Sequence, residues 1–137
     1  MKRWWIVGAA LVCFAQAGAA RNACELLTQK DLHFVGAKLS NSTRGELAVS
    51  QCFYEAPSFT DSVSLMMMTG SNDAVRRYWK ANIDNDKKQV WGGNQINGAL
   101  YVRTRGAILR ISPGGPGGVK EKSERAKALA KQALKRL

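Results

Sequence analysis

The stretch Ala99-Leu100-Tyr101-Val102-Arg103-Thr104-Arg105-Gly106-Ala107-Ile108-Leu109-Arg110-Ile111-Ser112 decides how this 137-residue chain folds. Two strand-like runs, Ala99 to Thr104 and Ala107 to Ser112, flank Arg105-Gly106, a short turn with glycine where a positive φ would be needed, and together they read as a hairpin. A two-residue turn sets Thr104 opposite Ala107, Val102 opposite Leu109 and Leu100 opposite Ile111. The four apolar side chains of the last two pairs then share one face. Tyr101, Arg103 and Arg110 share the other face, with Arg105 at the tip beside them, and that side reads as solvent-facing. A one-residue slip would mix apolar with basic side chains, so the pattern itself specifies the register.

Upstream, Ser62 to Thr69 alternates, with Val63, Leu65 and Met67 on one face and Met66 and Met68 on the other with Ser62 and Ser64. A strand splits the three consecutive methionines between two faces, so their sulfurs do not converge on a soft metal and core packing is the expectation. A turn around Pro57 to Asp61 connects this strand to Gln51–Glu55, which carries Cys52, Phe53 and Tyr54. Ala37 to Ser50 is rich in Ser, Asn and Thr without a sustained period. It reads as a loop with a short strand at Glu46 to Val49.

Helices fill the remainder. Thr28 as N-cap, Asp31 three residues later and the Leu27/Leu32 pair suggest a short first helix stopped by Gly36. Ser71-Asn72-Asp73 offers caps for a second, whose stripe is Val75, Tyr78, Trp79 and Ile83, with Arg76, Arg77 and Lys80 outside. It should fade near Asp84-Asn85-Asp86. Val90 and Trp91 suit the start of a strand within the glycine-rich Lys87 to Gly98 segment, which reads as bulged or looped. The Pro113 to Gly118 run breaks the sheet and leads into a closing helix with Ala126, Leu129, Ala130, Ala133, Leu134 and Leu137 on its apolar stripe. The expected fold is one α+β domain: a mostly antiparallel sheet of four to five strands with helices packed on it, in the order α-β-β-α-β-β-α.

The first twenty residues give a destination. Lys2 and Arg3, an apolar run from Trp4 to Phe14 and the small residues Ala15 to Ala20 form an export signal with cleavage after Ala19 or Ala20. The apolar run is too short for a membrane anchor, which needs roughly 20 residues. Val12 is bulky where a lipoprotein signal at Cys13 would carry a small residue. The domain is then residues 21–137, periplasmic or secreted. Cys24 and Cys52 remain as an even pair, which in an exported domain reads as one disulfide closing a loop just under thirty residues long, with a stabilisation of roughly 3 to 4 kcal/mol.

Removing the signal takes Lys2 and Arg3 with it and leaves nineteen basic residues against ten acidic ones, a net charge of +9. Such a balance favours polyanions: an anionic envelope component, a partner protein with acidic groups or, as the alternative, nucleic acid. Catalysis finds no constellation. His33 is the only histidine and sits in no motif, and no carboxylates pair for acid–base work. Asp84 and Asp86 continue into no calcium-loop spacing. The Pro-Gly run lacks the phosphate-loop spacing, and the closing helix has too thin and alanine-rich a stripe for a membrane surface. No enzyme activity, cofactor or metal is therefore expected. The candidate binding residues are Tyr101, Arg103, Arg105 and Arg110, joined by Arg76, Arg77 and Lys80, because guanidinium groups beside an aromatic ring suit carboxylate, phosphate or a stacked base.

Ala23-Cys24-Glu25-Leu26-Leu27-Thr28, Gly36, Cys52-Phe53-Tyr54, the glycine-rich segment before Gly98-Ala99 and the Leu100 to Ile111 hairpin together resemble a group of small bacterial exported domains of unknown function. Those domains, common among actinobacterial lipoproteins, open with Cys-x-Leu-Leu-Thr, disulfide-bond to a Cys-x-Tyr strand and finish with a hairpin and helix. This chain departs from them in lacking a lipoprotein cysteine and in showing Gly92-Gly93-Asn94 where they carry Gly-x-Gly-Asp. The resemblance implies the same fold and disulfide and a sensing or binding module, with no catalytic residues to carry over.

Overall fold

A computed structural model describes residues 21–84, 89–90, 93–96, 99–114 and 118–137; the stretch expected to be an export signal, parts of the glycine-rich segment and the centre of the Pro-Gly run lie outside the described residues. The domain is α+β, built on an antiparallel sheet of five long strands: β1 (Gly36–Arg44), β2 (Leu47–Glu55), β3 (Val63–Thr69), β6 (Ala99–Arg103) and β7 (Ala107–Pro113). Two short strands, β4 (Gln89–Val90) and β5 (Gly93–Ile96), extend one edge, giving the order β1-β2-β3-β7-β6-β5-β4. The hairpin register is the expected one, with Leu100 opposite Ile111, Tyr101 opposite Arg110 and Val102 opposite Leu109. Its turn differs in one respect. Gly106 is not in the left-handed region; Gly45, in the two-residue turn between β1 and β2, is, with φ 57°.

β3 lies in the middle of the sheet and is buried on both sides, which explains its nearly unbroken apolar run. Leu65 and Met67 join Cys52, Tyr54, Leu100, Val102, Leu109 and Ile111 in a core on the first face, under the closing helix α2 (Val119–Leu134). Ala126, Leu129, Ala130 and Ala133 are the α2 residues buried there, while Leu137 lies beyond the helix end and is exposed. Met66 and Met68 join Leu47, Val49 and Ile108 in a separate core on the second face, under α1 (Asn72–Asn82) and its continuation to Ile83. Each large apolar side chain buried in this way contributes roughly 1.5–3 kcal/mol. At about 1.5 Å per residue α1 is shorter than β2, β3 and β7 beneath it. Beyond its reach the second face turns polar, and Gln51 Nε2 donates to Ser64 Oγ at 3.3 Å.

Two sequence expectations are corrected. No helix follows Thr28: the segment forms a 3-10 turn at Ala23–Glu25, capped by Asn22, and a single turn at Thr28–Leu32. Helix nucleation is unfavourable over so few residues, and tertiary partners take the local groups first. Ser50 Oγ accepts from Ala23 N–H at 2.8 Å, Cys52 is bonded to Cys24, and Tyr54 Oη donates to the Ala23 carbonyl at 2.6 Å while accepting from Leu27 N–H. Three successive first-face positions of β2 thus hold the N-terminal segment. Gln29 then bonds both the N–H and the carbonyl of Phe34, turning the chain toward β1. The second correction is the stretch from Ala37 to Ser50, which is a hairpin rather than a loop. Its outer strand β1 is exposed at eight of its nine residues, so it carries no buried periodicity to read.

The carboxylate of Asp31 accepts from the Thr28 N–H and hydroxyl and from Arg136 Nη1 at 2.8 Å; the same Nη1 donates to the Leu26 carbonyl. Burial alone would push this carboxyl up, but the Thr28 hydrogen bonds and the Arg136 guanidinium outweigh it and hold it below the usual carboxylate range. The C-terminal turn is thereby locked to the N-terminal segment.

Burial pushes the Tyr54 phenol up to about 12, so it serves as a neutral donor and acceptor across the accessible pH range. Tyr54→Phe leaves the Leu27 N–H without the hydroxyl it donates to and removes one of the two bonds to the Ala23 carbonyl, which keeps that from Leu26 N–H, and is expected to lower stability by about 1–3 kcal/mol in denaturant titration. A loss below about 0.5 kcal/mol contradicts the clamp. Asp31 adds stability that is present above its unfolded-state value of about 3.9 and lost as pH falls through its lower folded-state value. Asp31→Asn should therefore be less stable than the parent by about 1 kcal/mol at pH 7, and the two unfolding curves should converge in acid. A gap that persists unchanged at pH 2 would show that the charge is not the cause.

Candidate functional site

α1 begins where Ser71 Oγ accepts from Ala74 N–H at 3.1 Å, and it presents Ala74, Val75 and Trp79 to the sheet. The docking of α1 changes the setting of the hairpin arginines. The face that the sequence reads as solvated is the one α1 covers, and Ile108, directly opposite Arg103, is fully buried there. Tyr101 and Arg110 are half-buried at the margin of α1, while Arg103 and Arg105 remain exposed.

Ring faces hold two of the guanidinium groups. The Arg103 guanidinium carbon lies 5.5 Å from the Trp79 ring centroid, and that of Arg110 lies 6.0 Å from the centroid of Tyr101, its cross-strand neighbour. Such contacts contribute about 0.5–1 kcal/mol at exposed sites and leave the guanidinium edge free to donate. Among the described residues no carboxylate pairs with Arg103, Arg105 or Arg110. Arg110 Nε is buried, without a hydrogen-bond partner among the described residues. Arg105 stands at the turn, which is fastened to the start of α1 by Gly70 N–H donating to the Gly106 carbonyl at 3.2 Å.

The helix cations differ from these. Arg76 pairs with Asp73 at 2.8 Å, and Arg77 pairs across to Glu46, whose carboxylate raises the Arg77 pKa through that hydrogen bond. Lys80 is exposed on the same helix. Trp79 is the member of the site that the sequence reading placed only in the core. Its place beside Arg103 could have been anticipated from Met66, Met68 and Ile108, an apolar set on the same face that no solvated surface requires.

On the first face a cleft of about 310 Å³ is lined by Leu32, Val63, Pro113, Ala128 and Leu129, with charged groups at its edge. Of these, Arg125 donates to the Gly114 carbonyl and Asp31 is held by Thr28 and Arg136, so both serve the fold. His33 is exposed in the turn before β1. Among the described residues no three of His, Cys, Asp and Glu gather as a metal site, and no helix is long and apolar enough to cross a membrane. No family model matches the chain, and no curated protein or solved structure matches it.

A buried N–H without a partner is destabilising by roughly 1–3 kcal/mol, more than the contact with Tyr101 returns. Arg110→Met, which keeps the stem and removes the polar atoms, is expected to leave the thermal unfolding midpoint unchanged or raise it. A fall corresponding to more than about 1 kcal/mol would show that Arg110 is retained for stability.

Proposed function

We propose that the protein is a non-catalytic binding module, periplasmic or secreted, that recognises an anionic group on an envelope component or partner protein through Arg103, Arg105 and Arg110. The Cys24–Cys52 disulfide is consistent with an extracytoplasmic location. The observation that carries the reading is the pair of guanidinium groups seated on Trp79 and Tyr101 with no carboxylate partner among the described residues. Ring seating limits the side-chain freedom lost on binding, and charge-assisted bonds from a planar fork suit carboxylate or phosphate. Lys80 adds a cation on α1. Arg76 and Arg77, with carboxylates of their own, contribute to the field more than to contact.

A second reading, general polyanion or nucleic-acid binding, is favoured by the net charge of +9 over residues 21–137. The two differ in salt response. Binding by counterion release weakens steeply with added salt and tolerates the loss of any one cation, whereas a built site depends on particular arginines. The test is affinity capture from an envelope extract with the oxidised protein and a variant carrying Arg103→Glu, Arg105→Glu and Arg110→Met, the last kept apolar because the position is half-buried. The variant, matched to the parent in thermal unfolding, is expected to lose a partner that the parent holds. Equal retention by both proteins would remove the arginine site, and retention that vanishes for both with moderate salt would favour the second reading.

A further inference from the structure

The two edges of the sheet are unlike. One ends in β4, only two residues long, while the other ends in β1, nine residues long and exposed at eight of them. Native sheets blunt long edges with bulges, prolines, covering elements or several charges. β1 has almost none of these. Its register with β2 runs without interruption from Gly36 opposite Glu55 to Arg44 opposite Leu47, its sequence contains no proline, and Lys38 is the single charge within it before Arg44 ends the strand. Every second residue of such a strand turns its N–H and carbonyl away from the sheet.

We infer that β1 receives an extended segment of a partner protein, added antiparallel as a further strand, with carboxylates on one face and apolar side chains on the other. Neighbours across an antiparallel pair share a face. On the second face β1 presents Lys38, Ser40, Ser42 and Arg44; on the first it presents Ala37, Leu39, Asn41 and Thr43, with its apolar part at the start of the strand, where Leu39, 44% exposed, follows Val35, 64% exposed. Lys38 has no ion pair among the described residues, and Arg44 donates to the Tyr78 hydroxyl at 2.9 Å rather than to a carboxylate. Acidic side chains placed opposite Lys38 and Arg44 complete both cations, and apolar ones cover Leu39. A second copy of this chain fits poorly, because each copy carries +9 over residues 21–137. β1 lies four strand spacings from β6, about 19 Å, so this surface goes beyond the arginine site and is separable from it.

The test uses the full chain, produced with its own leader and purified oxidised, with two nine-residue synthetic peptides as probes, one alternating Glu and Val and the other Lys and Val. The Glu/Val peptide should bind, slowing exchange of the outward-facing amides of residues 36–44 at least tenfold, and the Lys/Val peptide should not. Lys38→Glu, at an exposed position, should weaken the Glu/Val peptide at least tenfold and admit the Lys/Val peptide, while Arg103→Glu should change neither. Absence of binding at millimolar peptide, equal binding of both peptides, binding that leaves the β1 amides unprotected, or self-association protecting the same amides would each overturn the inference.

Discussion

Burial of the central strand on both faces is the constraint from which the rest of this structure follows. β3 is apolar at both parities through Leu65–Met68, and each parity needs a cover. On the first face α2 and the N-terminal segment supply it; on the second, α1 does. The two covers are attached differently. α1 docks mainly by its apolar stripe, whereas the N-terminal segment is short, lacks regular secondary structure beyond one 3-10 turn, and is held by Ser50, Cys52 and Tyr54 in succession along β2. A segment too small to bury much area gains its position from hydrogen bonds and a covalent link.

That arrangement explains which parts of the fold could be read in the sequence. The Ala99 to Ser112 hairpin is legible because its alternation specifies one register, and the methionine run is legible because a strand must divide it between faces. β1 is illegible by periodicity because an exposed edge imposes no burial pattern; the turn glycine at Gly45 was the available signal. The helix expected after Thr28 fails for a different reason. Thr28 and Asp31 do bond to one another as a capping pair would, yet Arg136, more than a hundred residues away, shares the carboxylate and draws it into a tertiary contact.

The candidate residues share the face that the sequence assigns them, but their surroundings differ from the expected solvated surface. Tyr101, Arg103 and Arg110 share a face as the register requires, but Ile108 shares it too, and with Met66 and Met68 it calls for a helix above. Once α1 is in place, the same alternation that builds the second core sets arginines at its margin against Trp79 and Tyr101. The arrangement has a thermodynamic oddity at Arg110 Nε, a buried donor left without an acceptor among the described residues. Groups of this kind are rare in native structures.

The most direct test of this account is a proton–nitrogen NMR spectrum of the arginine Nε–H groups, recorded on the oxidised protein and during titration with inorganic phosphate as the simplest anion. Ring-current-shifted signals for Arg103 and Arg110, moving together as phosphate is added while those of Arg76 and Arg77 stay in place, are the predicted result. Signals for Arg103 and Arg110 at ordinary solvated positions, unmoved by phosphate, would contradict it.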